Sequence, residues 1–224
     1  MVTYYTALGR LNNSFNKTNI PEVIQGDRRY ELEMPEFIIW SSVIWNIYNY
    51  DELKRVFEKR TEELKVNPDF EFDYYLQRME YRGLIKAGKG CTAIEALYSL
   101  MLDLYIFPIN CSYIGRTIVF LKLLTKKMPF KVAVHAFDKN KFDNKDERSV
   151  WKTITKAMLS VSETIWCVAK DIKGIREDNL IEKIYGEKYN SEILVSYARL
   201  SDEKNKIITA IVNLYLRKMI IFER

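Results

Sequence analysis

Turn-forming residues are scarce in this chain, and that scarcity limits the folds open to it more than any other feature. Only five prolines and eight glycines are spread over 224 residues. Folds made of many short strands need frequent tight turns, which Gly and Pro supply, so the composition disfavours a turn-rich β-protein. Hydrophobic residues make up 48% of the chain and charged residues 29%, as in globular rather than disordered proteins. We therefore expect a mainly α-helical protein with short strands.

The apolar run 93–109 is the stretch that most resembles a membrane span. It is shorter than the ~20 apolar residues that a span requires, contains Glu95 and Asp103, and is interrupted by Pro108. A buried helix is the expected structure. The N-terminal residues lack the basic and apolar regions of a signal peptide, and the three cysteines show no C-x-x-C spacing. These features predict a cytoplasmic protein with reduced thiols.

Motifs of catalytic or cofactor chemistry are missing from the sequence. It contains no P-loop, no G-x-G-x-x-G, no G-x-S-x-G and no H-x-x-x-H. The single histidine, His135, leaves little for a zinc site or a histidine general base, and we expect it to be a polar residue of a strand or loop. The sequence therefore predicts no enzymatic activity, no metal and no cofactor.

Charge is distributed unevenly between the two halves. Residues 1–110 hold 13 Lys/Arg and 16 Asp/Glu, a net charge of −3, whereas residues 111–224 hold 22 and 14, a net charge of +8. Such an asymmetry indicates an anionic partner for the basic half, and nucleic acid is the usual one.

The first half predicts the order strand, helix, helix, helix, strand. A period-two alternation over 28–34 predicts a short strand, and Pro35 with an acidic residue behind it begins a helix. Asp51 is the expected N-cap of a second helix. A third helix over 70–82 leads through "RGLIKAGKG" into a strand that ends in a Gly-Lys-Gly turn. Thr92 and Glu95 then form a capping box that starts a long helix.

The second half repeats part of this pattern. The sequence "IITAIVNLYLRKMIIFE" matches the third helix, so that Arg82 corresponds to Arg217 and Leu76 to Ile211. In the same way "EDNLIEKIYGEKY" matches the second helix, with Leu180 and Ile184 in the places of Leu53 and Phe57. Amphipathic helices also match one another by chance, so a true repeat and a coincidence both stay open.

This element order, with its R-G-L-I exit from the third helix, resembles the winged helix-turn-helix superfamily of bacterial transcription regulators. The resemblance covers residues 28–90 and, less clearly, 149–224. It implies two winged-helix-like domains, residues 1–92 and 149–224, in which the third helix lies in the major groove of DNA. A helical connector over 93–138 and a polar, lysine-rich linker loop over 139–148 are expected between them.

The resemblance also implies which side chains contact DNA, because Gln, Asn and Arg pair with base edges while Lys and Thr suit phosphates. In the first copy these residues are Tyr74, Gln77, Arg78, Tyr81, Lys86 and Lys89. In the second copy they are Asn205, Lys206, Thr209, Asn213 and Arg217, and Lys122, Lys126 and Lys127 of the connector would lie beside the duplex. Within the final helix, Ile208, Ile211 and Met219 are expected to face inward and Tyr215 to lie at the margin.

Two features depart from the superfamily. Acidic residues surround the third helix of the first copy: Asp69, Glu71, Asp73 and Glu80. Both wings also lack a returning second strand. The function expected is nonetheless sequence-specific binding of double-stranded DNA by a dimeric transcription regulator, with a homodimer interface formed by the apolar stretches 93–109 and 114–124. A plasmid or phage replication initiator with tandem winged helices, and a protein-interaction module that does not bind DNA, are the alternatives.

Overall fold

The computed structural model describes residues 1–12, 20–109, 142–172, 174–179, 181–186, 191–201 and 203–224. Helices predominate in these residues, and short strands pair antiparallel in three small sheets, so the fold is a mixture of helices and strands. The strands are β1 Val2–Ala7, β2 Arg10–Leu11, β3 Glu22–Gln25, β4 Arg28–Glu31, β5 Tyr48–Asn49, β6 Ile85–Gly90, β7 Tyr105–Pro108, β8 Leu159–Ser160 and β9 Ile220–Glu223.

Eight α-helices lie within the described ranges. They are α1 Met34–Val43, α2 Tyr50–Glu63, α3 Phe72–Tyr81, α4 Ala93–Met101, α5 Lys145–Ile154, α6 Val161–Ala169, α7 Ser191–Leu200 and α8 Lys204–Leu216. A 3₁₀ turn, Glu177–Asn179, and a π-helical turn, Ile181–Tyr185, precede α7. None of the helices in these ranges is both long and apolar enough to cross a membrane.

A first structural unit is formed by β1, α1, β5, α2, α3 and β6. Strand β1 lies in the middle of its sheet and pairs antiparallel with both β5 and β6. Helix α2 begins directly after β5, and its N-cap is Asn49 rather than the predicted Asp51, because the Asn49 side chain accepts the amide of Glu52. The predicted capping box of Thr92 and Glu95 is present at the start of α4.

A second unit repeats this arrangement with β7, α5, β8, α6, α8 and β9. Strand β7 is again the middle strand, between β8 and β9, and α6 again begins directly after the short strand. The middle strands meet their neighbours in the same register, which is given by the pairs Tyr4–Asn49 and Ala7–Ile85 in the first unit and Tyr105–Ser160 and Pro108–Ile220 in the second. Two sheets with the same order and register constitute an internal repeat.

The repeat differs from the predicted one in its second helix. Helix α6 takes the place of α2, so the predicted match of the second helix to residues around Ile184 is wrong, and Ile184 lies in the π-helical turn. Leu180 lies outside the described residues. The match between α3 and α8 agrees with the structure, because both helices lead after a three-residue turn into the last strand of their sheet.

The Gly-Lys-Gly sequence is not a turn. Strand β6 continues through Gly88 and Gly90 and pairs along its whole length with β1. In both units the middle strand thus precedes the helices in the chain instead of returning after the third helix. The middle strand therefore takes the place in the sheet that a returning second wing strand would occupy.

The largest hydrophobic cluster joins the two units. It contains Leu8 of the first unit, much of α4, and the buried faces of α5, α6 and α8. Tyr215, predicted to lie at the margin of α8, is completely buried at this junction. Its hydroxyl accepts hydrogen bonds from the Thr6 hydroxyl (2.8 Å) and the Trp45 amide (2.9 Å) and donates to the Val43 carbonyl (3.2 Å). Burial raises the pKa of Tyr215 to about 12, so the hydroxyl keeps its proton.

We expect Tyr215→Phe to lower the free energy of unfolding by about 2 kcal/mol, because it leaves the Trp45 amide without its acceptor and leaves the buried Thr6 hydroxyl with the longer bond to the Asn46 carbonyl (3.3 Å). Tyr98→Phe is the matched control. Among the described residues the Tyr98 hydroxyl donates to the Val195 carbonyl (3.1 Å), a single bond, so we expect a loss of about 1 kcal/mol or less. Urea denaturation of the three proteins measures both values, and equal losses would contradict a special role for the Tyr215 hydroxyl.

Two predicted connecting segments are corrected by the structure. The apolar run 93–109 is not one helix, because α4 ends at Met101 and the residues from Tyr105 form β7. Most of its large apolar side chains pack against the core, while Tyr105 is exposed, so the run is not one continuous apolar dimer surface. The predicted linker 139–148 is helical from Lys145, and Glu147 is fully buried. Residues 114–124 and 139–141 lie outside the described residues.

Candidate nucleic-acid interface

Helices α3 and α8 end in the same way, which places their side chains in comparable positions. Each has an arginine at its C-cap, Arg82 or Arg217, followed by a residue with a left-handed backbone, Gly83 (φ 71°) or Lys218 (φ 61°). In each unit the amide of the following residue donates a hydrogen bond to the carbonyl five residues earlier, at 2.9 Å in the first unit and 3.0 Å in the second. This C-cap geometry turns the chain sharply into the last strand of each sheet.

Each C-cap arginine binds a fully buried glutamate from the first turn of a neighbouring helix. In the first unit Glu36 of α1 accepts from Arg82 (2.8 Å) and lies 3.3 Å from the Nε of Arg78. In the second unit Glu147 of α5 accepts from Arg217 (3.1 Å) and from the Asn213 amide (3.0 Å). Buried charges need such partners, so these ion pairs hold the third helix of each unit against the first.

Three of the side chains predicted to contact DNA therefore form hydrogen bonds or ion pairs with these glutamates. Arg78 binds Glu36 and also Glu33 (2.6 Å), while Asn213 and Arg217 bind Glu147. The burial of these two glutamates is not predicted by the sequence. Their position in the first turn of a helix, where acidic residues are common, gives no sign that they are buried.

The outer face of α3 is aromatic and lies among acidic side chains. Tyr74, Gln77 and Tyr81 are exposed, as predicted, and the ring of Tyr74 stacks on that of Phe70 at 4.2 Å. Glu71 and other exposed carboxylates surround the start of the helix. Negative charge here repels the phosphates of a nucleic acid.

The two lysines predicted for the wing have different environments. Lys86 is mostly buried and forms an ion pair with Asp103. Burial, together with the nearby charge of Arg224, lowers the pKa of Lys86 to about 8, so at neutral pH it stays protonated and bound to its carboxylate. Lys89 is exposed at the end of β6 and lies within electrostatic range of Glu80.

The outer face of α8 has the opposite character. Asn205, Lys206 and Thr209 are exposed, and α8 contains no acidic residue, although the exposed Glu203 is its N-cap. Ile208 and Ile211 are fully buried and Met219 packs against the core, in agreement with the predicted inward face. Lys122, Lys126 and Lys127, predicted to lie beside the duplex, fall outside the described residues.

Equivalent positions on the two helices carry different chemistry. Counting back from the C-cap arginines, Lys206 occupies the position of Glu71 and Thr209 that of Tyr74. The same place in the repeated unit is therefore anionic and aromatic in α3 but cationic and polar in α8. Only the second arrangement suits a phosphate backbone.

A basic cleft of about 300 Å³ opens at the N-terminal end of α8. It is lined by Lys89 of the first unit, Arg199 of α7 and Lys204 of α8, together with Glu95 and apolar residues. The Glu95 carboxylate accepts the amides of Cys91 (3.0 Å) and Thr92 (3.2 Å), so it is already hydrogen-bonded. We call this cleft and the exposed residues Asn205, Lys206 and Thr209 the α8 surface.

Other features of the described residues offer fewer groups that could bind a ligand or a metal ion. The largest of the described clefts, about 590 Å³, lies where the units meet and contains Trp40, Trp45 and Phe107. Its two indole N–H groups donate to the carbonyls of Leu8 (3.0 Å) and Ile220 (3.3 Å), so they are not available to a ligand. Within the described ranges no group of three or more His, Cys, Asp or Glu could hold a metal ion.

The thiols in the described ranges are unpaired: Cys91 is exposed and Cys167 is buried. His135 and Cys111 lie outside the described residues.

Comparison of the chain with protein families, with curated proteins and with solved structures finds no match.

Proposed function

We propose that this protein binds double-stranded DNA through the α8 surface, as a transcription regulator. The observation that carries the proposal is the contrast between equivalent positions of the repeat, where Lys206 replaces Glu71 on a helix that has no acidic residue. The excess of positive charge in residues 111–224, the half that contains α8, also supports DNA binding by this half.

The chemistry of the α8 surface suits both parts of DNA recognition. Lys206 and the cations of the basic cleft, Lys89, Arg199 and Lys204, neutralise phosphates. Asn205 and Thr209 lie beside Lys206 on the exposed side of α8, and an asparagine amide pairs with the two edge atoms of adenine in the major groove. The buried pairs of Glu147 hold the helix rigidly while it presents these side chains.

The alternative is a protein-interaction module that does not bind DNA. The exposed aromatic residues of α3 favour a protein partner for the first unit. A protein partner on α3 is also compatible with DNA binding through the α8 surface, because the two surfaces lie on different helices.

The triple variant Lys89→Ala/Arg199→Ala/Lys206→Ala is expected to weaken binding to every duplex alike, because phosphate contacts are independent of sequence. Each lost contact reduces the dependence of log Kd on log salt by about 0.9, so we expect the slope to fall by about 2 to 3 units. Fluorescence anisotropy of labelled duplexes between about 50 and 200 mM salt measures this slope.

The matched control is Lys54→Ala/Arg55→Ala/Lys59→Ala, which removes three exposed cations from α2. Its slope should equal that of the wild-type protein. Wild-type protein that binds no duplex at about 50 mM salt, where electrostatic binding is strongest, would exclude the DNA proposal and leave the interaction module.

A further inference from the structure

Exposed residues, three of them aromatic, form a stripe that begins just before α3 and follows the helix to its last residue. Phe70, Tyr74, Gln77 and Tyr81 follow one another at spacings of four, three and four residues. The exposed fractions of the three aromatic residues are 55% for Phe70, 44% for Tyr74 and 94% for Tyr81. The spacing is that of residues at a helix–helix seam, and contiguous exposed aromatic surface usually marks an interaction site.

The two ends of this stripe carry opposite charge. Asp69 and Glu71 flank Phe70 at the start of the stripe, and both are exposed. At the other end, Tyr81 lines a cleft of about 510 Å³ with Arg28 of the β3–β4 hairpin and Arg224 at the end of the chain. The exposed Arg29 follows Arg28. The carboxylates of Asp27, Glu31 and Glu223, the last bonded to the Gly26 amide (3.1 Å), also lie at this hairpin, so its excess of positive charge is small.

We propose that the α3 stripe binds a second copy of this chain, with the two α3 helices antiparallel about a twofold axis. In this arrangement Phe70 of each copy lies against Tyr81 of the other copy, and Tyr74 of each copy lies against Gln77 of the other. The same reversal places the acidic residues Asp69 and Glu71 opposite the basic hairpin of the other copy. A twofold contact uses the same patch on both subunits. A patch with opposite charges at its two ends is therefore complementary to the same patch on the other copy.

Other partners fit the stripe less well. A parallel arrangement of two copies would bring like charges together at both ends, and like charges at an interface are unfavourable. A nucleic acid would meet Asp69 and Glu71, which repel its phosphates. The proposal differs from the predicted dimer of residues 93–109, since α4 is packed inside the protein.

The size of the contact sets its expected strength. One helix of ten residues is about 15 Å long, so with the hairpin tip it forms an interface at the small end of the protein range, below about 1,200 Å² in total. A reversible dimer with a Kd on the order of micromolar is expected.

Sedimentation velocity of the full chain without DNA, up to about 200 µM, tests the interface over the range expected for such small contacts. Tyr81→Ser should weaken dimerisation by about tenfold or more, because the residue is lost from both ends of a symmetric interface. The matched control is Leu200→Ser, which removes an 82% exposed apolar residue at the end of α7 and should leave the Kd unchanged. Wild-type protein that stays monomeric at the highest concentration overturns the proposal, as does a dimer that Tyr81→Ser does not weaken.

Charge reversal identifies the antiparallel arrangement. Glu71→Arg alone and Arg28→Glu alone should each weaken the dimer, since each opposes like charges at both ends of the interface. The double variant Glu71→Arg/Arg28→Glu restores opposite charges and should dimerise like the wild-type protein at about 50 mM salt, where screening is weak. A double variant weaker than both single variants would overturn the arrangement. These experiments contain no DNA, so their result is independent of the DNA-binding proposal.

Discussion

Gly88→Ala is expected to lower the free energy of unfolding by about 3 kcal/mol or more, because a Cβ atom has no room between β6 and α4. A Cβ at this position would lie 2.4 Å from the Ala96 carbonyl oxygen and 2.4 Å from the Leu100 nitrogen. Both are backbone atoms of a helix, which cannot rotate away as the end of a side chain can. Urea denaturation monitored by circular dichroism measures the loss, and failure of the variant to accumulate as folded protein is the extreme form of the same result.

The control is Gly26→Ala in the β3–β4 hairpin. A Cβ there meets nothing within 4 Å, but the backbone is left-handed (φ 56°), so we expect a smaller loss of about 1 to 2 kcal/mol from local strain. If Gly88→Ala is as stable as Gly26→Ala, the close approach of β6 and α4 does not determine stability.

The role of these glycines illustrates what local sequence can predict and what it cannot. Gly88 and Gly90 were interpreted as a turn because glycine commonly ends a strand. Glycine in the interior of a strand also marks close approach of another backbone, but the helix that approaches, α4, begins only after the strand ends. The start of α4 was predictable, because the Thr92–Glu95 capping box acts within one turn of helix.

Strand pairing was the least predictable part of the fold. Strand β1 is paired with β6, some eighty residues further along the chain, and no pattern within β1 indicates that β6 is its partner. Strand β7 was predicted to continue a helix because Tyr105–Pro108 belongs to an apolar run, and a short apolar run has no period that separates strand from helix. The match of α3 with α8 could be predicted because both include the exit into the following strand, whereas the second helices offered only amphipathic spacing.

The sequence predicts which side chains of the candidate site are exposed, but not which of them pair with buried carboxylates. Helical spacing correctly placed Tyr74, Gln77 and Tyr81 outward on α3, and Lys206 and Thr209 outward on α8. It could not show that Arg78, Asn213 and Arg217, on the edge of the same faces, reach a neighbouring helix. Which carboxylate approaches that edge depends on how α1 packs against α3 and how α5 packs against α8 in the core, and the spacing of residues within one helix does not specify that packing.

Arg217→Met is expected to lower the free energy of unfolding by about 3 to 5 kcal/mol, because it leaves Glu147 charged and buried without a cation. Among the described residues, Arg217 is the cation paired with Glu147. The Asn213 amide and the Asp143 backbone amide (2.9 Å) still donate to the carboxylate, but neither carries a charge. Urea denaturation measures the loss, and Arg217→Lys should recover only part of it, since lysine lacks the planar arrangement of donors.

The equivalent change in the first unit separates the loss of charge from the loss of packing. Arg82→Met removes a C-cap arginine of the same size, but Glu36 keeps Arg78 at 3.3 Å, so we expect a smaller loss than in Arg217→Met. The double variant Glu147→Leu/Arg217→Met removes both charges and should recover most of the stability lost by Arg217→Met alone. If the double variant is less stable than Arg217→Met, then Glu147 contributes through its hydrogen bonds to Asn213 and the start of α5 and not through its charge.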